Sequence, residues 1–234
     1  MMKLNYRMVY FDLDGTLLDF ARSEREALTA VFSTHGVFLT EKEIETYVEI
    51  NKKWWKFFSE GRFSKEEIVV ARFKEFISLL GRSDLNAQEI SWQYLRKLSQ
   101  TAHFLPGAEA FLERMKAFGF RMAVLSNGVQ MVQENRAKLL KLERFFEFIL
   151  TSEVAGKPKP DPTMFFVASS KSGVPLKESV YVGDDPIIDF LAAKNAGTDF
   201  ILIDLDQLQA DFEGNKARSY GELFNLLTRD SIQS

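Results

Sequence analysis

Five short apolar runs punctuate the chain: "MVYFDL" from Met8, "FRMAVLS" from Phe120, "FEFILTS" from Phe146, "SVYVGD" from Ser179 and "DFILID" from Asp199. They are rich in Val, Ile, Leu and Phe and do not alternate cleanly with polar residues, which is the pattern of strands buried on both faces. From Gly107 onward they are interleaved with helix-like segments at Gly107 to Phe118, Val129 to Lys141, Pro162 to Ser172 and Pro186 to Asn195. That order predicts an α/β fold, a doubly wound, Rossmann-like parallel sheet with helices on both faces.

Between the first and second runs the period changes. From Ser23 to about Leu98 the pattern is helical throughout, and three segments open on a capping box: Ser23 with Glu26, Thr40 with Glu43, and Ser64 with Glu67. A fourth begins near Asn86, with Glu89 three residues on. These signals predict a four-helix cap domain at residues 18–104, inserted into a core formed by residues 1–17 and 105–234. The closing "TRDSIQS" reads as a frayed tail.

Composition narrows the possibilities. With 234 residues, 46% of them hydrophobic, the chain is long enough for a core domain plus a smaller inserted one. A formal net charge of -3 supplies no basic field, so a nucleic-acid polymer is not the expected partner. There is no cysteine, which excludes disulfides and thiolate metal sites. The first residues lack the apolar core of a secretory leader, and no run approaches the roughly 20 apolar residues of a membrane span. The expectation is a soluble cytoplasmic protein, monomer or dimer, acting on a small molecule.

The chemistry gathers where the strands end. In an open parallel sheet, ligands bind in the crevice outside the carboxyl ends of the strands. The first strand ends in Asp12, Asp14, Gly15 and Thr16, and the second in Ser126, Asn127 and Gly128. After the third comes "GKPKPDP" with Lys157, Lys159 and Asp161, and the fourth runs into "GDDPIID" with Asp184, Asp185 and Asp189. A single Asp after a strand is ordinarily a turn or helix cap. Four or five carboxylates converging on one crevice repel one another unless a cation neutralises them, and oxygen ligands alone suit Mg²⁺. Carboxylates and Mg²⁺ beside a lysine, a serine hydroxyl and a glycine-flanked turn point to a phosphoryl group. Asp12 can then attack phosphorus to form an aspartyl-phosphate, while Asp14 protonates the leaving oxygen and deprotonates the hydrolytic water. His35 and His103, the two histidines, lie in or beside the inserted region and take no part in this scheme.

"DLDGT" at Asp12 to Thr16, "SNG" at Ser126, a "KP" lysine after the third strand and "GDDPIID" at Asp184 resemble, in order and spacing, the four motifs of the haloacid dehalogenase-like hydrolase superfamily. The resemblance spans nearly the whole chain and implies a doubly wound core, an aspartyl-phosphate mechanism, Mg²⁺ and a helical cap closing over the active site. By position it makes Asp12 nucleophile and metal ligand, and Asp14 the acid/base that also binds metal through its carbonyl. Ser126 binds phosphate, with Thr16, Asn127 and Gly128 beside it. Asp184 and Asp189 complete the metal site, the latter directly or through water. Both Lys157 and Lys159 precede a proline; the family's step from Gly156 to Phe165 favours Lys159. "LLDFARSEREAL" and "YVEINKKWWKFFSEGRFSKEEIVVARF" further resemble the pyrimidine 5′-nucleotidase branch. The chain departs from it in "ILIDLDQ", where those relatives carry a Trp and an Asn-Pro, and at Gly15, where many have a third Asp. Sugar-phosphate and phosphoglycolate phosphatases are the nearest alternatives. A phosphomutase, a dehalogenase, which needs neither Asp14 nor a metal, and a non-catalytic binding protein are more distant.

Within the cap, helical spacing sets Asn51 on the stripe of Ile44, Tyr47, Val48, Trp55 and Phe58, and Arg72 among Ile68, Val69, Phe73 and Phe76. Either these polar residues escape the apolar face, by snorkelling or backbone capping, or they face substrate, with Trp54, Trp55 and Phe58 offering a stacking surface. Core packing of the aromatics is the competing explanation.

Overall fold

The computed structural model describes residues 6–228. The chain divides into two compact units, one made of the chain up to Phe20 and from His103 onward, the other of Ala21–Ala102.

The first unit is built on β1 (Met8–Phe11), whose four residues are all buried. After the insertion come α5 (Ala108–Phe118), β2 (Met122–Ser126), α6 (Gln130–Leu140), β3 (Ile149–Thr151), a single turn α7 (Ser152–Ala155), α8 (Thr163–Ser172), β4 (Ser179–Gly183), α9 (Ile188–Ala196) and β5 (Asp199–Ile203). All five predicted strands are present. Two further elements close the unit, β6 (Lys216–Ala217) and α10 (Tyr220–Thr228). The six strands run parallel in the order β3-β2-β1-β4-β5-β6. Phe11 pairs with Val124 on one side and Val182 on the other.

Alternate residues of each strand point to opposite faces, and both faces are covered. Val9, Phe11, Val124, Val182 and Ile201 pack with Phe111, Leu112 and Met115 of α5 and with Leu223, Phe224 and Leu227 of α10. Met8, Tyr10, Leu125, Tyr181 and Leu202 pack with Met164 and Phe165 of α8 and Ala192 and Ala193 of α9. Burial on both sides is why the strand sequences do not alternate. The chain leaves β1 for β2 and β3 on one side and returns to β4 on the other, so a topological switch point lies beside β1.

The second unit holds four helices: α1 (Phe20–Thr34, whose first residue belongs to the other unit), α2 (Glu41–Ser59), α3 (Lys65–Leu79) and α4 (Ala87–Leu98). Thr40 and Ser64 form complete capping boxes with Glu43 and Glu67. Asn86 caps α4 by accepting from the Gln88 and Glu89 amides. The Ser23 prediction fails: α1 begins three residues earlier, leaving Ser23 buried inside the helix. Leu17 and Leu18 are core residues of the α/β unit, so the chain is still part of that core where the cap pattern begins to be read. The interior of the helical unit is aromatic, with Phe32, Tyr47, Phe73, Phe76 and Tyr94 in edge, tilted and stacked contacts at centroid separations of 5.1–6.5 Å. The predicted tail falls on residues 229–234, outside the described residues, apart from Thr228, which ends α10. No described helix is long and apolar enough to cross a membrane.

Candidate active site

Asp12 is the first residue beyond β1 and stays tied to the sheet, its amide donating to the Val182 carbonyl at 2.8 Å. A tight turn follows, closed by the Gly15 amide on the Leu18 carbonyl, with Gly15 at φ 83°. A Cβ at this position would stand 2.3 Å from Asp184 Oδ2, so glycine lets the carboxylate beyond β4 come up against the turn beyond β1. Thr16 is fully buried and donates to Asp184 Oδ1 at 3.0 Å.

Lys159, 3% exposed, sits at the centre. Its Nζ donates to Asp12 Oδ1 at 2.6 Å, Asp189 Oδ1 at 2.8 Å and the Tyr181 hydroxyl at 2.6 Å. Tyr181 in turn donates to Asp189 Oδ1 at 3.0 Å. The Lys159 backbone is clamped by Asn127, whose side chain accepts from its amide and donates to its carbonyl at 2.8 and 2.9 Å. Lys157 lies outside this arrangement, mostly exposed and paired with Asp161.

Asp12, Asp184 and Asp189 each bring a carboxylate oxygen within 4.8 Å of the others. Burial pushes Asp12 well above the usual carboxylate range; Lys159 pulls it back in part, while Asp189 and Asp184 push it further up. Burial and Asp189 raise Asp184 to about 7, against the Thr16 hydrogen bond and Lys159. Lys159 is pulled down by burial, but Asp12 and Asp189 together outweigh it and hold the ammonium charged. One buried cation thus faces three carboxylates, and the unbalanced negative charge fits a hard divalent ion, with Asp12, Asp184 and Asp189 as its oxygen donors.

Asp14 has a different set of partners. Its Oδ1 accepts from Arg136 Nη1 at 2.6 Å and its Oδ2 from Gln133 Nε2 at 2.7 Å. Gln133 Nε2 also donates to Ser126 Oγ at 3.0 Å, and Ser126 accepts from the Gly128 amide. Asp185 and Asp161 are helix-start residues: Asp185 accepts from the Ile187 and Ile188 amides, Asp161 from that of Thr163.

The strand-end residues from four strands thus form two groups, Asp12, Asn127, Lys159, Asp184 and Asp189 in one and Asp14 and Ser126, joined through Gln133, in the other. Asp12 and Asp14 share one turn, and Ser126 is next to Asn127 in the chain. Sequence reasoning missed Tyr181, Gln133 and Arg136. Tyr181 reads as one more strand residue, and Gln133 and Arg136 look like ordinary polar positions. The signal for the latter pair was their i, i+3 spacing on the face of α6 that carries Val132 and Ala137.

Asn51 and Arg72 are both buried in the interior of the helical unit and joined there. Arg72 Nη1 donates to Asn51 Oδ1 at 2.6 Å, and Asn51 Nδ2 to Glu24 Oε1 at 2.6 Å. Arg72, 2% exposed, does not snorkel. Trp55 is half-buried against Phe58, and Trp54 donates to Glu75 at 2.9 Å.

The family model for haloacid dehalogenase-like hydrolases matches residues 9–203, and the chain belongs to that family. It is 27% identical to pyrimidine 5′-nucleotidase PynA of Streptococcus pneumoniae over 232 residues, covering 97% of this chain and 98% of that protein. Glyceraldehyde 3-phosphate phosphatase of Methanothermobacter thermautotrophicus is 28% identical, with 88% of each chain covered. Among solved structures, the magnesium-bound HAD-hydrolase YfnB of Bacillus subtilis superposes with a TM-score of 0.87 at 26% identity, over 96% of this chain and 99% of that one.

Proposed function

We propose that the chain is a Mg²⁺-dependent phosphomonoester hydrolase that works through an aspartyl-phosphate on Asp12, with nucleoside 5′-monophosphates as substrates. The observation that carries this reading is the buried Asp12 carboxylate, held by Lys159 and grouped with Asp184 and Asp189. Burial alone would protonate Asp12, and a protonated acid is no nucleophile. Lys159 opposes that preference and the charge on the phosphoryl oxygens; Mg²⁺ held by Asp12, Asp184 and Asp189 would supply the remaining neutralisation.

An oxygen of Asp12 attacks phosphorus as the bond to the ester oxygen breaks, and Asp14 gives that oxygen its proton. Asp14 then takes a proton from the attacking water, and phosphate leaves with Asp12 restored. Ser126 offers a hydroxyl to the phosphoryl oxygens. Lys159 rather than Lys157 is the neutralising lysine in this scheme, a choice supported by its burial and its bond to Asp12.

End-to-end similarity to a pyrimidine 5′-nucleotidase supports the nucleotide reading. Similarity to a glyceraldehyde 3-phosphate phosphatase supports a sugar-phosphate alternative. A panel of nucleoside monophosphates, sugar phosphates and phosphoglycolate, ranked by kcat/KM with Mg²⁺ and with EDTA, decides between them. Phosphate release that survives EDTA, or an Asp12→Asn variant that keeps wild-type turnover, would overturn the mechanism.

A further inference from the structure

Gln133 and Arg136 are polar residues on the buried face of α6, 1% and 0% exposed. The expected occupants of that face are apolar, as Val132 and Ala137 are. Arg136 is costly there. Nη1 bonds Asp14 and, at 3.2 Å, Gln133 Oε1, while Nε and Nη2 have no hydrogen-bond partner among the described residues. A cation buried with two unanswered N–H groups is a poor device for stability, and an apolar residue of similar volume would serve better.

What the pair achieves is local. Each Asp14 oxygen receives one donor from α6, so both the plane and the position of the carboxylate are set by a helix rather than by its own turn. The same Gln133 amide nitrogen holds Ser126 Oγ. Space for it depends on Gly128, where a Cβ would stand 2.1 Å from Gln133 Nε2. We infer that Gln133 and Arg136 are positioning residues that hold Asp14 and Ser126 in one frame, so that proton delivery to the leaving oxygen is aligned with the bound phosphoryl group. The inference rests on Asp14 being the acid of the proposed reaction.

The test exploits the leaving group. An alkoxide departs only with a proton, whereas 4-nitrophenolate departs without one, so misplacing the acid harms the alkyl ester selectively. The reading is the ratio of kcat/KM for uridine 5′-monophosphate, or the best alkyl ester of the panel, to that for 4-nitrophenyl phosphate. Because kcat/KM covers only the steps through phosphorylation of Asp12, the later role of Asp14 as base does not enter. Asp14→Asn should lower the ratio about 100-fold or more. Gln133→Met and Arg136→Met should each lower it about 10-fold or more, as expected for a general acid displaced but present. Arg136→Lys, which keeps a donor for Asp14 Oδ1, should recover most of the loss, and adding Gln133→Met to Asp14→Asn should lower the ratio no further. Equal losses on both esters in Gln133→Met would overturn the positioning role. Gln133→Met keeps the test intact if Arg136→Met does not fold. If Asp14→Asn itself leaves the ratio unchanged, the acid assignment fails, and the inference with it.

Discussion

Replacing Lys159 by Met removes the one cation that Asp12 and Asp189 share and leaves a side chain of similar length in its place. Breaking a buried ion pair from one side costs about 3–5 kcal/mol because the other charge is stranded. The stranded charge has an escape, which is to take a proton. A carboxyl of usual value 3.8 costs about 4 kcal/mol to protonate at pH 7 and about 2 at pH 5, at about 1.4 kcal/mol per pH unit. One proton suffices, since Tyr181 still donates to Asp189. Because Asp12 already lies above its usual value in the native protein, part of that cost is common to native and variant, and the deficit is at most about 4 kcal/mol at pH 7 and at most about 2 at pH 5. The direction of the shift sets the sign: Asp12 is raised further in the variant, so stability survives at low pH and is lost as pH rises toward the folded-state value. In a chain of this length that ceiling corresponds to a Tm lowered by at most about 10 °C. Calorimetry in EDTA at pH 7 and pH 5 reads it, with Lys157→Met as a control that should move Tm by less than about 3 °C because its pair with Asp161 is exposed. A Lys159→Met deficit as large at pH 5 as at pH 7, or no deficit at pH 7, would refute the charge argument.

Asp184, raised to about 7, must lose its proton to bind a cation, so Mg²⁺ affinity should fall about tenfold per pH unit below 7. Without metal the folded protein should lose stability as pH rises from about 4 toward 7 and level off above it; calorimetric titration giving a Kd independent of pH from 5.5 to 8 would contradict the raised Asp184 on which both statements rest. Arg72→Met removes the donor to the buried Asn51 Oδ1 and should destabilise the helical unit by about 2 kcal/mol. All three tryptophans, Trp54, Trp55 and Trp92, lie in that unit, so fluorescence-detected melting reports on it directly, and an unchanged midpoint would count against the buried chain. Arg7→Ala breaks an exposed pair with Glu178 and should shift Tm by no more than about 3 °C, corresponding to at most about 1 kcal/mol.

The order of elements was legible because each signal is local. Five apolar runs become five strands, and the capping boxes at Thr40 and Ser64 form as read, since a box involves residues only three apart. Ser23 shows the limit of that reasoning. Its Ser-x-x-Glu pattern is identical, yet the helix starts at Phe20, straight after Leu17 and Leu18 have been drawn into the α/β core, and tertiary packing overrides the local signal. The strand β6 is two residues long and carries no apolar run to find. The periodicity of α10, at Tyr220, Leu223, Phe224 and Leu227, was there to be read.

The same distinction explains the site. Asp12, Asp184 and Asp189 were legible because a strand end is a defined place in a parallel sheet, and the switch point beside β1 gathers the residues just beyond β1 and β4. Lys157 and Lys159 each precede a proline, and in the sequence only the family's step from Gly156 to Phe165 favours Lys159. In the fold they differ physically: Asn127, 32 positions away, clamps the Lys159 backbone, and the Lys159 side chain is buried on Asp12 while Lys157 is exposed. Gln133 and Arg136 meet Asp14 across 119 and 122 residues. No periodicity rule connects a helix position to a carboxylate that far along the chain; only the packing of α6 against the turn beyond β1 does. A polar pair at i, i+3 on a face that also carries Val132 and Ala137 is nonetheless a readable conflict between pattern and burial. In an α/β chain such a conflict on the helix directly after a strand-end motif marks where the motif's own residues are being held.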